Sequence, residues 1–227
     1  MITMQEYAII VAGGSGNRMK SEIPKQFLKI HGLPILMHTI NAFSDYSKSL
    51  KIILVLPAEQ IVFWNQLCAE HSFQVNYTLI EGGDSRFASV KNGLLSIKDN
   101  SGLVAVHDGV RPVISNEIIA ASYSRAAEQG SAVTSVPLKD SIRKVETNGD
   151  NVAMDRSVFQ LIQTPQTFRL DWMQKAFQTA YNDQFTDCAS VLEAAGYPIH
   201  LIPGSYENIK ITTPEDLRWA EIYLQSP

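Results

Sequence analysis

Short apolar runs alternate with amphipathic stretches along almost the whole chain, and this alternation constrains the fold more than any other feature. The apolar runs predict β-strands at Tyr7–Ala12, Lys51–Leu56, Val75–Ile80, Leu103–His107, Ala132–Val136 and His200–Ile202. Between them, helical spacing of apolar residues predicts helices at Pro34–Phe43, Ala58–Glu70, Ser85–Ser96, Asn116–Gln129, Asp171–Tyr181, Asp187–Ala195 and Glu215–Leu224. Strands that alternate with helices are typical of βαβ units around a parallel sheet. The sequence therefore predicts an α/β fold.

One segment, Lys139–Thr164, departs from this alternation. Two short strands flank Thr147–Asp150, whose Asn-Gly pair is a strong hairpin signal. A two-stranded hairpin cannot bury a full face by itself, so it needs a surface to lie on. That surface belongs either to the hairpin's own domain or to a second subunit, and the pattern leaves both open. Because no repeat or linker is visible elsewhere, residues 1–227 are interpreted as a single domain.

Composition excludes several classes of protein. The chain has 227 residues and a formal net charge of −4, so it has no global attraction for a nucleic-acid backbone or an anionic membrane. Cys68 and Cys188 stand alone, which leaves a disulfide framework and a zinc site unsupported. No stretch approaches the roughly 20 apolar residues that a membrane span needs, and the first residues do not form a signal peptide. We therefore expect a cytoplasmic protein.

A glycine-rich loop follows the first strand directly and precedes two cations. It comprises Ala12, Gly13, Gly14, Ser15 and Gly16, with Arg18 and Lys25 downstream. Met19 stands where a dinucleotide fingerprint needs Gly or Ala and where a Walker A loop needs Gly, while Asn17 stands where a nucleophile elbow needs Gly. Backbone N–H groups of such a loop can still close around phosphate oxygens. The alternative is a purely structural tight turn.

Two further clusters follow the third and fourth predicted strands. Gly83, Asp84 and Ser89 stand at the start of a helix, where free N–H groups and short polar side chains can hold a base or a ribose; the alternative is a well-capped helix. Asp108 ends a strand at the edge where a magnesium ligand belongs, and the alternative is an ion pair with Arg111. His107 is interpreted as a packed strand residue.

Lys210 lies inside an apolar run, an awkward position for a cation unless it faces an anion in a cleft. The alternative is a surface lysine whose stem is buried and whose ammonium reaches water.

Taken together, the motifs resemble those of the 2-C-methyl-D-erythritol 4-phosphate cytidylyltransferase family. The matching segments are AGGSGNRM with PKQFL, EGGDSRFASVKNGL, VHDGVRP, TPQTF, FTDCASVLEAAG and ENIKITTPEDL, in the family's order and spacing. The resemblance implies a doubly wound, mostly parallel sheet of the Rossmann-like nucleotidyltransferase type. It also implies a projecting β-arm, residues 139–164, that forms a homodimer, and a Mg²⁺-dependent reaction of CTP with a polyol phosphate. Ribitol-5-phosphate cytidylyltransferases share the motif order, so ribitol phosphate is the alternative acceptor.

The same resemblance implies roles for the matching positions. It assigns the glycine loop, Arg18 and Lys25 to the triphosphate; Gly83, Asp84 and Ser89 to cytidine; and Asp108 to the metal ion. The implied residues around the acceptor and its phosphate are Arg111, Ser141, Arg156, Thr164 and Lys210. Arg18, Lys25, Arg156 and Lys210 are the catalytic cations of this set. Three positions depart from the family pattern: Cys188 replaces a common acid, Gly109-Val110 replaces Ala-Ala, and Ser141 replaces Thr.

The residue inventory suits this chemistry. A phosphate monoester has a second pKa near 6, so the attacking oxygen is already ionised at about pH 7 and needs no general base. The reaction needs neutralised charge and alignment, which cations and Mg²⁺ supply. Two rivals remain from other classes: a nicotinamide-dependent oxidoreductase, disfavoured by Met19, and a non-catalytic nucleotide-binding module, which would leave Arg156 and Lys210 without an anion.

Overall fold

The computed structural model describes residues 4–13 and 23–224. Their strands are β1 (Glu6–Val11), β2 (Lys29–Ile30), β3 (Leu33–Pro34), β4 (Lys51–Leu56), β5 (Thr78–Glu81), β6 (Leu103–Asp108), β7 (Ser131–Pro137), β8 (Ile142–Val145), β9 (Asn151–Met154), β10 (Gln160–Arg169) and β11 (Leu201–Pro203). Their helices are α1 (Ile35–Tyr46), α2 (Ala58–Glu70), α3 (Arg86–Ser96), α4 (Asn116–Gln129), α5 (Leu170–Ala176), α6 (Cys188–Ala194) and α7 (Pro214–Tyr223). The apolar runs thus became strands and the amphipathic stretches helices.

The main sheet has seven strands in the order β11-β7-β10-β6-β1-β4-β5. Neighbouring strands are parallel except at β10, which runs antiparallel to both β6 and β7. Side chains of β1 alternate between the two faces: Ala8 and Ile10 pack with α1, α2 and α4, while Ile9 and Val11 pack with α3, α5 and α6. Helices cover both faces, as the long apolar runs require. The predicted doubly wound, mostly parallel α/β fold is confirmed.

Three predicted elements differ from the structure by three or more residues at one end. The third strand begins at Thr78 rather than Val75, α1 ends at Tyr46 rather than Phe43, and the helix expected over Asp171–Tyr181 is the shorter α5. The sequence reading also missed β10, because Gln163, Thr164, Gln166 and Thr167 are polar although all four are buried. Pro165 lies where the β10–β7 register shifts, which is where a sheet tolerates proline.

The predicted hairpin is present. Strands β8 and β9 pair antiparallel, from Ile142 opposite Met154 to Val145 opposite Asn151, and form a two-stranded sheet of their own. The turn places Gly149 at φ 90°, a left-handed conformation that glycine adopts without strain. We call residues 139–164 the arm.

Among the described residues, no helix combines the length and the apolar character that crossing a bilayer requires.

Candidate active site

The carboxyl ends of four neighbouring parallel strands, β6, β1, β4 and β5, meet at one edge of the sheet. Val11 lies opposite both Asp108 and Val55, and Leu56 lies opposite Glu81. The loops that follow β1, β5 and β6 enclose a cavity of about 320 Å³. Of the predicted site residues, this cavity is lined by Ala12, Gly13, Lys25, Gly83, Asp84, Ser89, Asp108 and Lys210. Gly14, Ser15, Gly16 and Arg18 lie outside the described residues.

A short 3₁₀ turn, Lys25–Phe27, forms one wall of this cavity. Lys25 is only 8% exposed and lines the cavity, so this lysine lies against the cleft rather than in bulk water. The adjacent Gln26 donates a hydrogen bond from Nε2 to the carbonyl of Ala12 at 2.9 Å. That bond fixes the turn to the end of β1, and the sequence reading did not identify it.

The loop after β5 is both a helix cap and a cavity wall. Ser85 accepts a hydrogen bond from the Ala88 N–H at 3.0 Å and caps α3. Ser89 accepts from the Gly83 N–H at 3.1 Å, so its hydroxyl holds the loop closed. A Cβ at Gly83 would lie 2.6 Å from the Cβ of Ala88, which explains the glycine. The capped-helix interpretation is therefore confirmed, and the same residues face the cavity.

Asp108 is surrounded by three cations. Its Oδ2 lies 3.1 Å from Lys210 Nζ and 3.3 Å from Arg111 Nε, and its Oδ1 lies 3.6 Å from Arg86 Nε. Burial by itself would raise the pKa of Asp108, but the three positive charges hold it well below its usual range. The carboxylate therefore stays ionised, and the ion pair with Arg111 that the sequence left as an alternative is present.

Arg86 was missed by the sequence reading. It is the first residue of α3, where it resembled part of the cap, and its partner Asp108 is far away in the sequence. Its guanidinium also donates from Nη1 to Cys188 Sγ at 3.4 Å. Burial raises the pKa of the Cys188 thiol, which keeps the sulfur neutral beside Arg86.

A second cavity of about 240 Å³ adjoins the first, and Arg86, Asp108 and Lys210 line both. Its lining also includes Arg111 and Thr164, two more of the predicted acceptor residues. Arg111 is fixed there because its Nη1 donates to the carbonyl of Asn208 at 2.7 Å. The fold thus gathers Arg111, Thr164 and Lys210 from three separate segments.

Ser141 and Arg156 are the predicted acceptor residues that the structure does not bring to this cleft. Both lie exposed on the arm, outside the two cavities. Arg156 donates from Nη1 to the carbonyl of Lys139 at the base of the arm.

His107 is fully buried and packs against Phe43, with ring centroids 4.9 Å apart. Burial lowers the pKa of His107 to about 4, so the imidazole is neutral near pH 7. Its interpretation as a packed strand residue agrees with this position.

A larger hollow of about 790 Å³ lies at the opposite edge of the sheet, against Glu6, Tyr46 and Tyr123. None of the described residues that line it is a lysine, arginine or histidine. Cavity volume alone therefore does not identify the candidate active site. The charged side chains that line the two cavities at the carboxyl edge of the sheet identify it.

A glycine loop at a strand's carboxyl end, an ionised aspartate among cations and two adjoining cavities define a nucleotidyltransferase of the doubly wound type. The family model of 2-C-methyl-D-erythritol 4-phosphate cytidylyltransferase matches residues 7–226. The chain belongs to this family.

Curated relatives and solved structures agree with the assignment. The cytidylyltransferase of Bacteroides thetaiotaomicron is 47% identical over 95% of this chain and 97% of its own length. That of Porphyromonas gingivalis is 47% identical over 98% and 99%. A structure of 4-diphosphocytidyl-2C-methyl-D-erythritol synthase from Anaerococcus prevotii has a TM-score of 0.83 at 26% identity, covering 98% of this chain and 97% of that one.

The family's reaction joins CTP and 2-C-methyl-D-erythritol 4-phosphate in the non-mevalonate route to isoprenoid precursors, and the expected activity is thereby confirmed. The matched family is that of the methylerythritol enzymes, which decides against ribitol phosphate. The oxidoreductase and the non-catalytic binding module are excluded by the same family assignment.

Proposed function

We propose that the two adjoining cavities hold CTP and 2-C-methyl-D-erythritol 4-phosphate side by side, with the reacting groups meeting at Asp108. The observation that carries this proposal is that Arg86, Asp108 and Lys210 line both cavities. Two reactants bound on either side of one shared wall are already close, which lowers the entropic part of the barrier.

The 320 Å³ cavity is the proposed CTP site. The glycine loop, Arg18 and Lys25 hold the triphosphate, while Gly83, Asp84 and Ser89 hold cytidine. Lys25 supports this role because a largely buried lysine in the cavity lining would interact strongly with phosphate charge. Arg18 and Lys25 also balance the negative charge that develops as pyrophosphate departs.

The 240 Å³ cavity is the proposed acceptor site. An oxygen of the acceptor's phosphate attacks the α-phosphorus of CTP, a new P–O bond forms, and the bond from the α-phosphorus to the bridging oxygen breaks to release pyrophosphate. That phosphate oxygen is already ionised near pH 7. Arg111, Thr164 and Lys210 therefore have to orient the acceptor rather than deprotonate it, which agrees with the buried, neutral His107.

Mg²⁺ is the proposed cofactor. The residues present fit a metal ion that is held by one carboxylate together with phosphate oxygens and water. Within the described part of the chain, no group of three or more His, Cys, Asp or Glu side chains is arranged to hold a metal ion. Asp108 supplies one ionised carboxylate beside the proposed triphosphate site, and Mg²⁺ commonly takes one or two carboxylates plus phosphate oxygens and water. When bound, the ion neutralises triphosphate charge, and Asp108 is the residue that would hold it.

A homodimer is proposed to complete the acceptor site. The arm exposes large apolar side chains: Val145, Val152, Met154, Val158, Phe159, Leu161 and Ile162. A two-stranded hairpin with so much exposed apolar surface calls for a covering partner. If the arm lies over a second copy of the chain, Ser141 and Arg156 reach that copy's acceptor cavity.

Pyrophosphate release tests this proposal. Purified protein with CTP and Mg²⁺ is given 2-C-methyl-D-erythritol 4-phosphate, ribitol 5-phosphate or unphosphorylated 2-C-methyl-D-erythritol. We expect turnover with the first only, and none in excess EDTA. Equal rates with the unphosphorylated polyol, or in EDTA, would contradict the roles given to the acceptor phosphate and to the metal.

A further inference from the structure

One buried ring is hydrogen-bonded to two residues of the proposed acceptor site and, through one of them, is linked to a third. His107 has no exposed surface, and its Nε2 lies 3.1 Å from the carbonyl oxygen of Arg111. Its Nδ1 lies 3.1 Å from the Thr164 hydroxyl, which in turn accepts a hydrogen bond from the Asp108 N–H at 3.1 Å. The ring itself lines neither cavity, whereas Asp108, Arg111 and Thr164 all do.

The protons in this cluster can be assigned from its geometry. A carbonyl oxygen only accepts, so His107 Nε2 carries a hydrogen and donates to Arg111. A second ring proton would place an imidazolium in a dry site beside the Arg111 guanidinium, which is costly. Nδ1 therefore carries no hydrogen, and the Thr164 hydroxyl donates a hydrogen bond to its lone pair.

We propose that His107 is a positioning residue that acts through Thr164: it accepts the hydrogen bond of the Thr164 hydroxyl, so that Thr164 can act only as a hydrogen-bond acceptor toward the acceptor cavity. One lone pair of Thr164 Oγ1 is occupied by the Asp108 N–H, so one remains. An ionised phosphate oxygen carries no hydrogen and cannot donate to that lone pair, whereas a hydroxyl can. This inference rests on the proposed function. Of the groups on the acceptor molecule, it assigns a hydroxyl of the polyol rather than the phosphate to Thr164.

The same ring also fixes the backbone around the reacting groups. Asp108 and Arg111 belong to one turn, because the Arg111 N–H donates to the Asp108 carbonyl at 3.1 Å. His107 donates to the carbonyl of Arg111 at the end of that turn, and Thr164 accepts from the N–H of Asp108 at its start. Loss of the ring's nitrogens is therefore expected to weaken acceptor binding. The glycine loop after β1 and the loop after β5 are not changed.

The tautomer can be measured directly on the wild-type protein. Two-bond ¹H–¹⁵N correlation spectra of protein with ¹⁵N-labelled histidine distinguish a protonated from a bare ring nitrogen. We expect a neutral His107 with the hydrogen on Nε2, assigned by the signals that His107→Phe removes. A hydrogen on Nδ1 would overturn the proposal. This result does not depend on turnover, so it stands apart from any failure of the proposed function.

Kinetics test whether the ring acts through Thr164. His107→Phe keeps the aromatic packing against Phe43 and removes both nitrogens. Thr164→Val keeps the shape of Thr164 and removes its hydroxyl. Each change is expected to raise the KM for the acceptor by about tenfold, the effect of roughly one buried hydrogen bond. The KM for CTP is expected to rise less than the KM for the acceptor, since the loops after β1 and β5 are left unchanged.

The double variant decides between positioning and general damage. If His107 acts through Thr164, the two changes are not additive, and the double variant binds the acceptor about as well as either single variant. His107→Asn restores an acceptor near the Nδ1 position and is expected to recover part of the lost affinity. The proposal would be overturned if the rise in acceptor KM of the double variant were the product of the two single rises. It would also be overturned if the KM values for the acceptor and for CTP rose equally. Should His107→Phe fail to fold, judged by circular dichroism, the tautomer spectrum assigned by His107→Asn and the Thr164→Val kinetics still decide it.

Discussion

The ammonium of Lys210 lies 3.1 Å from Oδ2 of Asp108, at the joint between the two cavities. This contact pairs the cation proposed for the acceptor phosphate with the carboxylate proposed for Mg²⁺. The two groups therefore stabilise each other, with the carboxylate buried and the lysine side chain exposed. In the proposed reaction Asp108 would turn to the metal ion and Lys210 to the acceptor phosphate.

Removing the charge of Lys210 tests this arrangement. Lys210→Gln is expected to lower kcat/KM for the acceptor by on the order of 10²–10³, the usual effect of losing a donor aimed at reacting charge. Lys210→Arg is expected to recover part of the rate, since it keeps the charge. Lys48→Gln is a matched control, because Lys48 forms an exposed ion pair with Asp45. Steady-state pyrophosphate release measures all three, and a loss shared by the control would contradict the assignment.

The pKa of Asp108 has a consequence for stability. Because its folded pKa lies below the unfolded value of about 3.9, its charge stabilises the fold above that pH, and the contribution is lost as the pH falls through the folded pKa. Asp108→Asn removes this contribution. The difference in free energy of unfolding between wild type and variant is expected to be constant above about pH 5 and to shrink in acid. Urea unfolding at several pH values measures it, and a difference that grows in acid would contradict the sign.

The two cations of the proposed triphosphate site are expected to act on rate rather than on folding. Lys25→Ala and Arg18→Ala should each lower kcat by on the order of 10²–10³. Lys29→Ala is the matched control, since Lys29 lies four residues on and pairs with Glu70 at the surface. Circular dichroism checks the fold of each variant. A change of less than about threefold in a folded Lys25→Ala protein would remove Lys25 from the triphosphate site.

Cys188 replaces a common family acid but is expected to be catalytically quiet. Its side chain is fully buried and its thiol pKa is raised by that burial, so it is a poor nucleophile. Cys188→Ser should leave kcat within about threefold of wild type, because sulfur is only a weak partner for Arg86. Iodoacetamide should label Cys68 before Cys188 in the folded protein, as peptide mass spectrometry can show. Rapid labelling of Cys188 with loss of activity would contradict this.

The parallel half of the sheet was predictable because its strands are continuous apolar runs, and the position of Asp108 followed from the end of one of them. Lys210 was singled out as a cation inside an apolar run, but the structure places it between β11 and α7 rather than in a strand. The antiparallel β10 was not, because its burial depends on distant partners. Thr167 donates to Ser122 at 2.9 Å, and Gln166 donates to Asp187 at 2.8 Å. Neither bond leaves a local pattern in the sequence. Arg86 escaped prediction for the same reason, since only the fold brings it to Asp108.

Mixing two inactive variants tests whether the arm serves a second copy of the chain. In the proposed homodimer each site takes Lys25 from one chain and Arg156 from the other, which agrees with the exposed position of Arg156 outside its own cleft. Lys25→Ala and Arg156→Ala are unfolded and refolded together in equal amounts. About half of the dimers are then mixed, and one of the two sites in each unites both intact residues. Activity should return to about a quarter of the wild-type level.

The matched control mixes Lys25→Ala with Lys210→Ala, two residues that line the same cavity of one chain. Here every site of a mixed dimer lacks one cation, so nothing should be recovered. Recovery of activity in both mixtures would show that the variants retain activity of their own, and it would not support a shared site. If well-formed mixed dimers of Lys25→Ala and Arg156→Ala stay inactive, Arg156 acts in its own chain, and the arm must then fold back over the cleft beside Thr164 to reach the acceptor.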